Sequence, residues 1–278
     1  MHVQLDSLHL LIYAAMLACL LAVALSAVSR AAAAGRGLGA AFAARAGEAS
    51  FAAGFVLAIV AFILRWIEVR HVPLQNMFEV FLTLGVVLYP LSLLCRRLVG
   101  GDSLGLDAMI AFVVLFPAGL VFKSDPQHLP PALQDWLFIP HVAAYMLAYI
   151  ILAMAAAQAV LQLFAKGDRV AVGGVNHELA AYRLVTLAFP LLTLGLVLGA
   201  WWGKKAWGDY WQWDPQELWS LITWLIFLAY MHLRCAAGAR WPRINSVLVI
   251  LGGLAVVLTL LWVNLSRLFP GMHSYASP

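Results

Sequence analysis

The sequence carries little charge. Asp, Glu, Lys and Arg make up 11% of the 278 residues, whereas a soluble domain has about 25%. Hydrophobic residues account for 64% and the mean hydropathy is +0.91, compared with an apolar share of about 45–50% in soluble domains. This composition excludes an ordinary soluble domain and indicates a polytopic membrane protein.

Cysteine is also scarce. Cys19, Cys95 and Cys235 lie far apart and form no CxxC pair, which excludes a thiol-redox motif and a disulfide framework. The sequence contains no phosphate loop, serine triad or clustered Cys/His zinc site. A net charge of +4 would suggest a nucleic acid partner for a soluble protein. Here the basic residues cluster in loops, so we expect no nucleic acid partner.

Long apolar runs are abundant. A helix needs about 20 apolar residues to cross a membrane, so the sequence predicts an all-α polytopic membrane protein in one membrane domain, residues 1–278. We take the first run as a retained helix, because no basic segment precedes it as in a signal peptide. The expected helices are residues 8–29, 51–69, 77–95, 106–123, 138–165, 184–202, 216–235 and 244–268.

The distribution of Lys and Arg predicts the orientation. Of the 17 basic residues, 11 lie in four connections on one side, including the Ala-, Gly- and Arg-rich stretch 30–50, and 6 lie on the other side. Because basic residues favour the cytoplasmic side, both termini and the loop between the sixth and seventh helices should lie on the outer face.

Residues 201–224 hold most of the tryptophan in the chain. They read WWGKKAWGDYWQWDPQELWSLITW and contain seven of the 11 tryptophans. Single tryptophans commonly anchor a membrane interface, but seven exceed what anchoring needs. Asp214 is an expected N-cap, with Pro215 at the first helical position and Glu217 completing a capping box. The stretch therefore predicts a rigid outer platform, residues 207–213, for a flat, apolar ligand.

Two histidines fall on the same predicted face as the platform. His141 opens the fifth helix, and His273 follows the eighth. Two neutral imidazoles facing one another across aromatic rings suit an iron porphyrin, because each can take one axial position. Outer Lys or Arg residues would pair with its propionates. The alternative for either histidine is a solvated loop residue.

Two further constellations leave alternatives open. His232 lies near the predicted cytoplasmic end of the seventh helix. An ionisable group in a membrane helix is a functional candidate. The alternative is that His232 lies in the membrane–water interface, because it is close to the end of the span. Arg65 and Glu79 fit a buried ion pair, an anion site, or a plain hairpin with snorkelling arginines, and the last is favoured. The roles of His71 and His128 stay open.

These motifs together resemble a known family. WGDYWQWDPQELW followed by ITWLIFLAYMHLR resembles the WWD signature of the haem-handling superfamily, and is most similar to the CcsA (ResC-like) branch of the System II cytochrome c synthases. RWIEVRHVPLQNMFEVF, IPHVAAYMLAY and GMHSYA resemble further segments of that branch, in the expected order. One departure is Gln216-Glu217, where the signature often has Lys-Glu.

The resemblance implies a site. Haem b would bind the Trp-rich segment 201–219, with the iron held by His141 and His273, which would also be the catalytic residues, and with His232 holding haem iron within the membrane. The implied cofactor-binding residues are His141, His273, His232, Trp207, Trp211, Trp213, Asp214 and Trp219.

The resemblance also implies a reaction and partners. The chain would act with a CcsB/ResB-type membrane protein as a holocytochrome c synthase of the haem lyase type. It would translocate or hold haem and position its vinyl groups for thioether attachment to the CxxCH thiols of apocytochrome c. Thiol-reducing proteins would be further partners. The implied location is the bacterial inner membrane, with the Trp-rich loop on the periplasmic face.

Two other functions stay open. The protein is alternatively a non-catalytic haem exporter or carrier that delivers haem to a separate chaperone, as CcmC-like proteins do. It is also comparable in length and helix number to HemX-type regulatory subunits of haem biosynthesis, which are expected to lack an intact tryptophan motif.

Overall fold

The computed structural model describes residues 7–34, 39–101, 103–164 and 175–262. Within these ranges the regular secondary structure is helical, and short 3-10 turns precede α5 and α8. A π-helical turn, Leu258–Trp262, continues the last helix. The eight α-helices are α1 (Ser7–Ala34), α2 (Gly39–Val69), α3 (Met77–Val99), α4 (Leu104–Leu120), α5 (Phe138–Phe164), α6 (His177–Trp207), α7 (Pro215–Ala237) and α8 (Pro242–Val257).

The helices confirm the predicted fold class. Within the described ranges, seven helical segments are long and apolar enough to cross a membrane, and α4 is a shorter apolar helix of 17 residues. At 1.5 Å per residue α4 spans about 26 Å, which is near the lower limit for a membrane helix. The chain is an all-α polytopic membrane protein.

Two predicted connections are shorter in the structure. Residues 39–50, expected in a loop, form the first turns of α2, because Ala and Arg favour helix strongly even without an apolar face. Similarly, α6 begins at His177, before the predicted start near residue 184. Its N-cap is Asn176, whose side-chain oxygen accepts the backbone N–H of Leu179 at 3.0 Å and so compensates one unpaired donor of the first turn.

The chain forms two compact units. Unit one comprises residues 1–93 and 102–128, and thus α1, α2, most of α3, and α4; unit two comprises residues 94–101 and 129–278, and thus the end of α3 and α5 to α8. The predicted assignment of all 278 residues to one membrane domain stays a prediction.

Small residues bring the helices of unit one together. A Cβ on Gly54 of α2 would lie 3.2 Å from the backbone oxygen of Ala15 in α1, and a Cβ on Gly85 of α3 would overlap Leu115 of α4. Close backbone approach at small residues is a common means of packing membrane helices. The Phe51 ring contacts Tyr89 edge-on, with ring centroids 5.0 Å apart.

Arg65 is fully buried in unit one. Its guanidinium donates to Glu79 at 2.9 Å and to Glu68 at 3.0 Å, and it also reaches the backbone oxygens of Ser124 and Asp125. The predicted snorkelling arginine is therefore wrong at this position, and the buried ion pair is confirmed. Nη2 also lies 2.8 Å from the Glu79 carboxylate. Because these five contacts use the donors of the guanidinium, the alternative of an anion site at Arg65 is also wrong.

Unit two is tied together at the end of α7 by a polar cluster. Arg234 of α7 pairs with Glu178 of α6 at 2.8 Å, and Asn245 of α8 donates to the same carboxylate at 2.9 Å. Towards the start of α7, the Thr223 and Thr259 hydroxyls lie 3.1 Å apart, both fully buried. These contacts set the register of α6, α7 and α8, and so position the residues around the tryptophans.

Candidate functional site

The Trp-rich segment consists of the end of α6, a loop and the start of α7. Helix α6 continues to Trp207 and ends at Gly208, which has a φ of 94° and donates its N–H to the carbonyl of Lys204. Glycine suits this position because it adopts a left-handed conformation without a Cβ clash. The loop is therefore residues 208–214, between α6 and α7. Its side of the membrane stays a prediction.

The predicted start of α7 is confirmed. The Asp214 carboxylate accepts the N–H of Gln216 at 2.9 Å, Pro215 occupies the first helical position, and Glu217 completes the capping box. The Glu217 carboxylate accepts the backbone N–H groups of both Gln212 and Asp214, at 2.8 and 3.2 Å. One carboxylate thus holds the amides on both sides of Trp213.

Trp213 has an unusual backbone conformation. Its φ is 57°, a left-handed value that costs a residue other than glycine roughly 1–2 kcal/mol. Its side chain is 68% exposed, and its ring meets Trp211 edge-on at 5.9 Å. Non-glycine residues held in this region cluster at ligand-binding sites. The two Glu217 hydrogen bonds maintain a conformation that leaves the indole exposed.

His141 lies in the first turn of α5 and packs on α6. Its Nδ1 is 2.8 Å from the backbone oxygen of Gly195. Its ring stacks on Trp202 with centroids 5.7 Å apart and an interplanar angle of 19°, and it meets Tyr145 edge-on at 5.2 Å. Three contacts from different directions therefore fix the imidazole.

Trp202 is the buried centre of the aromatic cluster. Its side chain is 2% exposed, and its indole N–H donates to the carbonyl of Ala132 at 2.9 Å. Trp207 packs edge-on against it with ring centroids 4.8 Å apart, and the Phe138 ring packs in a tilted arrangement at 5.7 Å. Rings in such tilted and edge-on arrangements attract one another beyond simple burial. The cluster joins the platform directly to His141.

Two lysines are held at the end of α6. Lys205 pairs with Asp135 at 2.9 Å and lies over the Trp136 ring, while Lys204 contacts the carbonyl of Gly208 and lies over Tyr210. The hydrogen bond from Lys205, followed by one from the backbone of Leu137, lowers the pKa of the Asp135 carboxyl below its usual 3.8. Both ammonium groups are exposed and close to the tryptophans, which suits an anionic ligand.

The other predicted site residues are more dispersed. Trp219 is half-buried in the first turns of α7. Trp211 has a buried indole N–H that, among the described residues, has no hydrogen-bond partner. His232 is exposed on the same continuous helix, and the 18 residues from Asp214 place it about 27 Å along α7. His273 lies outside the described residues, so its pairing with His141 stays a prediction.

Comparison with known proteins identifies the family. A family profile described as cytochrome c assembly protein matches residues 8–270. The chain belongs to the cytochrome c assembly protein family. Relatives with the name cytochrome c biogenesis protein CcsA include that of Mesostigma viride, which is 31% identical over 255 residues, 80% of this chain and 82% of the relative.

The match to members of this family extends over most of each chain. The CcsA of Trieres chinensis is 33% identical over 274 residues, covering 80% of this chain and 86% of the relative. That of Synechocystis is 29% identical over 277 residues, covering 76% and 82%. The predicted similarity to CcsA-type proteins is confirmed. It follows from the family that this membrane protein has a role in cytochrome c maturation.

In this member of the cytochrome c assembly protein family, three residues beside His141 were not among the predicted binding residues. They are Trp202, which lies within the predicted haem-binding segment 201–219, and the two glycines Gly195 and Gly199. The spacing G-x-x-x-G was the available signal, because small residues four apart indicate close approach of a second membrane helix.

Proposed function

We propose that this protein is the haem-handling subunit of a cytochrome c synthase. It holds haem b at the outer membrane surface, with the iron between His141 and His273, and positions the vinyl groups for attachment to apocytochrome c. The observation that carries the proposal is the fixed imidazole of His141, stacked on Trp202 and hydrogen-bonded to Gly195. A histidine held in this way meets the geometric demands of an iron ligand.

The surrounding residues fit the substrate. Haem is flat, apolar and carries two carboxylates. Aromatic faces are supplied by four tryptophans, Trp207, Trp211, Trp213 and Trp219. Asp214 fixes the turn that carries them. The indole N–H of Trp211, which has no partner in the part of the chain that the structure describes, is a donor for a propionate oxygen, and Lys204 and Lys205 supply positive charge nearby. A buried donor without a partner is costly in the absence of a ligand, which supports a bound acceptor at Trp211.

The reaction needs orientation more than acid–base chemistry. Each cysteine thiol of CxxCH adds across one haem vinyl group: sulfur bonds to the inner vinyl carbon, and hydrogen goes to the outer one. The substrate supplies the nucleophile, and the addition needs no oxidant. Positioning can lower such a barrier by about 7–11 kcal/mol. His141 and His273 fix the iron, and thereby the porphyrin edge that faces the thiols.

His232 supports a second part of the proposal. It is exposed on α7, and an ionisable side chain on a membrane helix is costly unless it faces protein or a cavity. We propose that a CcsB/ResB-type partner covers this face and that His232 contributes to a haem site within the membrane. The complex lies in a bacterial inner membrane with the Trp-rich loop and both termini on the periplasmic side, where thiol-reducing proteins keep the CxxCH cysteines reduced.

Co-expression tests the proposal. The full chain, its partner and an apocytochrome c with one CxxCH motif are expressed together, and covalent haem is stained on a denaturing gel. Wild type should label the cytochrome, and His141→Ala should abolish most of the label. The matched control is His128→Ala, since His128 is exposed in unit one. Equal labelling in both variants would contradict the proposal.

The carrier alternative predicts a different result. A CcmC-like exporter would purify with haem but label no cytochrome unless a separate ligase were added. The same co-expression, with and without such a ligase, separates the two functions. Labelling without it supports the synthase, and labelling only with it supports the carrier.

A further inference from the structure

Two glycines of α6 make the contact between α6 and His141 possible. A Cβ built on Gly199 would lie 2.5 Å from Cε1 and 2.9 Å from Nδ1 of His141, closer than real side chains approach. A Cβ on Gly195 would lie 2.9–3.1 Å from the ring of Tyr145, which itself packs against His141. The imidazole therefore occupies the space where residue 199 would otherwise have a side chain.

The missing side chain also lets the imidazole reach a hydrogen-bond acceptor of α6. In a continuous α-helix the Gly195 carbonyl accepts the N–H of residue 199, and its second lone pair remains available. A Cβ at residue 199 would occupy the position from which the imidazole reaches that carbonyl. With glycine there, His141 Nδ1 reaches it at 2.8 Å.

This hydrogen bond selects one tautomer. A carbonyl oxygen only accepts, so Nδ1 of a neutral His141 must carry the proton, and Nε2 then carries the lone pair. Histidines that bind metals commonly donate their other N–H to a backbone carbonyl or carboxylate, which fixes both tautomer and ring orientation. The contact of His141 with Gly195 has this form.

We propose that Gly199 is a positioning residue for His141. Its lack of a side chain admits the imidazole to the Gly195 carbonyl, which holds the proton on Nδ1 and presents Nε2 to haem iron. The identity of the ligand as haem iron rests on the proposed function. The tautomer of His141 and its dependence on Gly199 do not rest on the proposed function.

The haem-free protein tests the positioning by itself. The full chain is labelled with 15N-histidine in detergent micelles, and His141→Gln assigns the His141 resonances by subtraction. Protonated and unprotonated ring nitrogens differ in 15N shift, and their couplings to the ring protons identify which nitrogen is which. Wild type should show Nδ1–H for His141. A proton on Nε2 would overturn the proposal whether or not any glycine variant folds.

A neighbouring glycine supplies the matched control. Gly203 lies one turn further along α6, is buried, and would place a Cβ no closer than 3.5 Å to another residue. Gly199→Ala should mix or reverse the His141 tautomer, whereas Gly203→Ala should leave it unchanged. An unchanged tautomer in Gly199→Ala would overturn the proposal.

The haem-loaded complex separates this inference from the proposed function. Absorption spectra and haem titration are compared for wild type, Gly199→Ala and His141→Ala. Loss of an outer hydrogen bond to a metal ligand lowers affinity by about 10–100-fold, so Gly199→Ala should weaken haem retention by that factor and change the axial-ligand spectrum. If His141→Ala changes nothing, the proposed function fails. If His141→Ala lowers haem retention but Gly199→Ala matches wild type, only the positioning role fails.

Discussion

Arg65 and Glu79 form an ion pair from which solvent is excluded, with Nη2 and Oε1 2.8 Å apart and side-chain exposures of 0% and 1%. The Glu79 carboxylate also accepts the backbone N–H of Gln75 at 2.9 Å. The pair thus connects the end of α2, the following turn and the start of α3. It also reaches the residues after α4, through the carbonyls of Ser124 and Asp125.

Arg65→Met should destabilise the protein by about 3–5 kcal/mol, because it leaves the Glu79 charge buried without its partner. The measurement is the free energy of unfolding in mixed micelles. Replacing the exposed Arg70 by Met in the same segment is the control, and a change within about 0.5 kcal/mol is expected there. Similar values for the two variants would show that Arg65 does not hold unit one together.

The left-handed conformation of Trp213 predicts a separation of stability from haem binding. Trp213→Gly removes the backbone strain of roughly 1–2 kcal/mol and loses little packing, since the ring is 68% exposed. Its stability should therefore stay within about 1 kcal/mol of wild type, while haem occupancy in the purified protein falls. Thermal unfolding and the haem absorbance measure the two effects.

Trp213→Val is the control for this backbone argument. A β-branched residue is a genuine outlier at positive φ, so the Val variant should be less stable than the Gly variant by about 1–2 kcal/mol. Equal stability of the two would mean that the loop does not keep residue 213 left-handed. Full haem occupancy in both would remove Trp213 from the proposed site.

His232 and Arg234 are two residues apart but should respond differently to substitution. His232 is exposed, whereas Arg234 is 13% exposed and pairs with Glu178. His232→Ala should change stability by no more than about 0.5 kcal/mol while lowering haem retention in the complex with the partner. Arg234→Met should lower stability by about 3 kcal/mol. A large loss of stability in His232→Ala would assign that histidine a structural role instead.

The Asp135–Lys205 pair predicts a pH dependence. Because hydrogen bonding lowers the pKa of Asp135 in the folded protein, its stabilising effect is fully present above the unfolded value and is lost as the pH falls through the lower folded value. The difference in thermal stability between wild type and Lys205→Met should therefore be present at pH 7 and decrease below pH 3.8, the usual value.

Lys204→Met is the neighbouring control, because Lys204 contacts the carbonyl of Gly208 instead of a carboxylate. Its difference from wild type should show no such loss in acid. Adding salt should also reduce the Lys205 effect at pH 7, since exposed charges are screened. A Lys205 effect that persists in acid would mean that the pair with Asp135 is not its cause.

Local signals in the sequence were sufficient for much of this protein. The apolar runs predict the eight helices because each must satisfy its own backbone hydrogen bonds in the membrane. The start of α7 was predictable from Asp214, Pro215 and Glu217, because a capping box involves only residues within one turn. The tryptophan signature was sufficient to predict the family.

Helix ends without an apolar face were less predictable. Residues 39–50 extend α2 although they lack the long hydrophobic run that defines a span. The length of an apolar run predicts the membrane-embedded part of a helix. Helix propensity and tertiary contacts decide at which residue the helix begins. The first turns of α6, from His177, were missed for the same reason.

The sequence by itself determined the membrane helices, the capping box that begins α7 and the family, since these depend on neighbouring residues. Tertiary structure decided that Arg65 is buried, because its partners come from α3 and from the segment after α4. It also decided how His141 is held. The Gly195 carbonyl is 54 residues away in the chain, and it is the packing of α5 on α6 that brings it within hydrogen-bond distance of the imidazole.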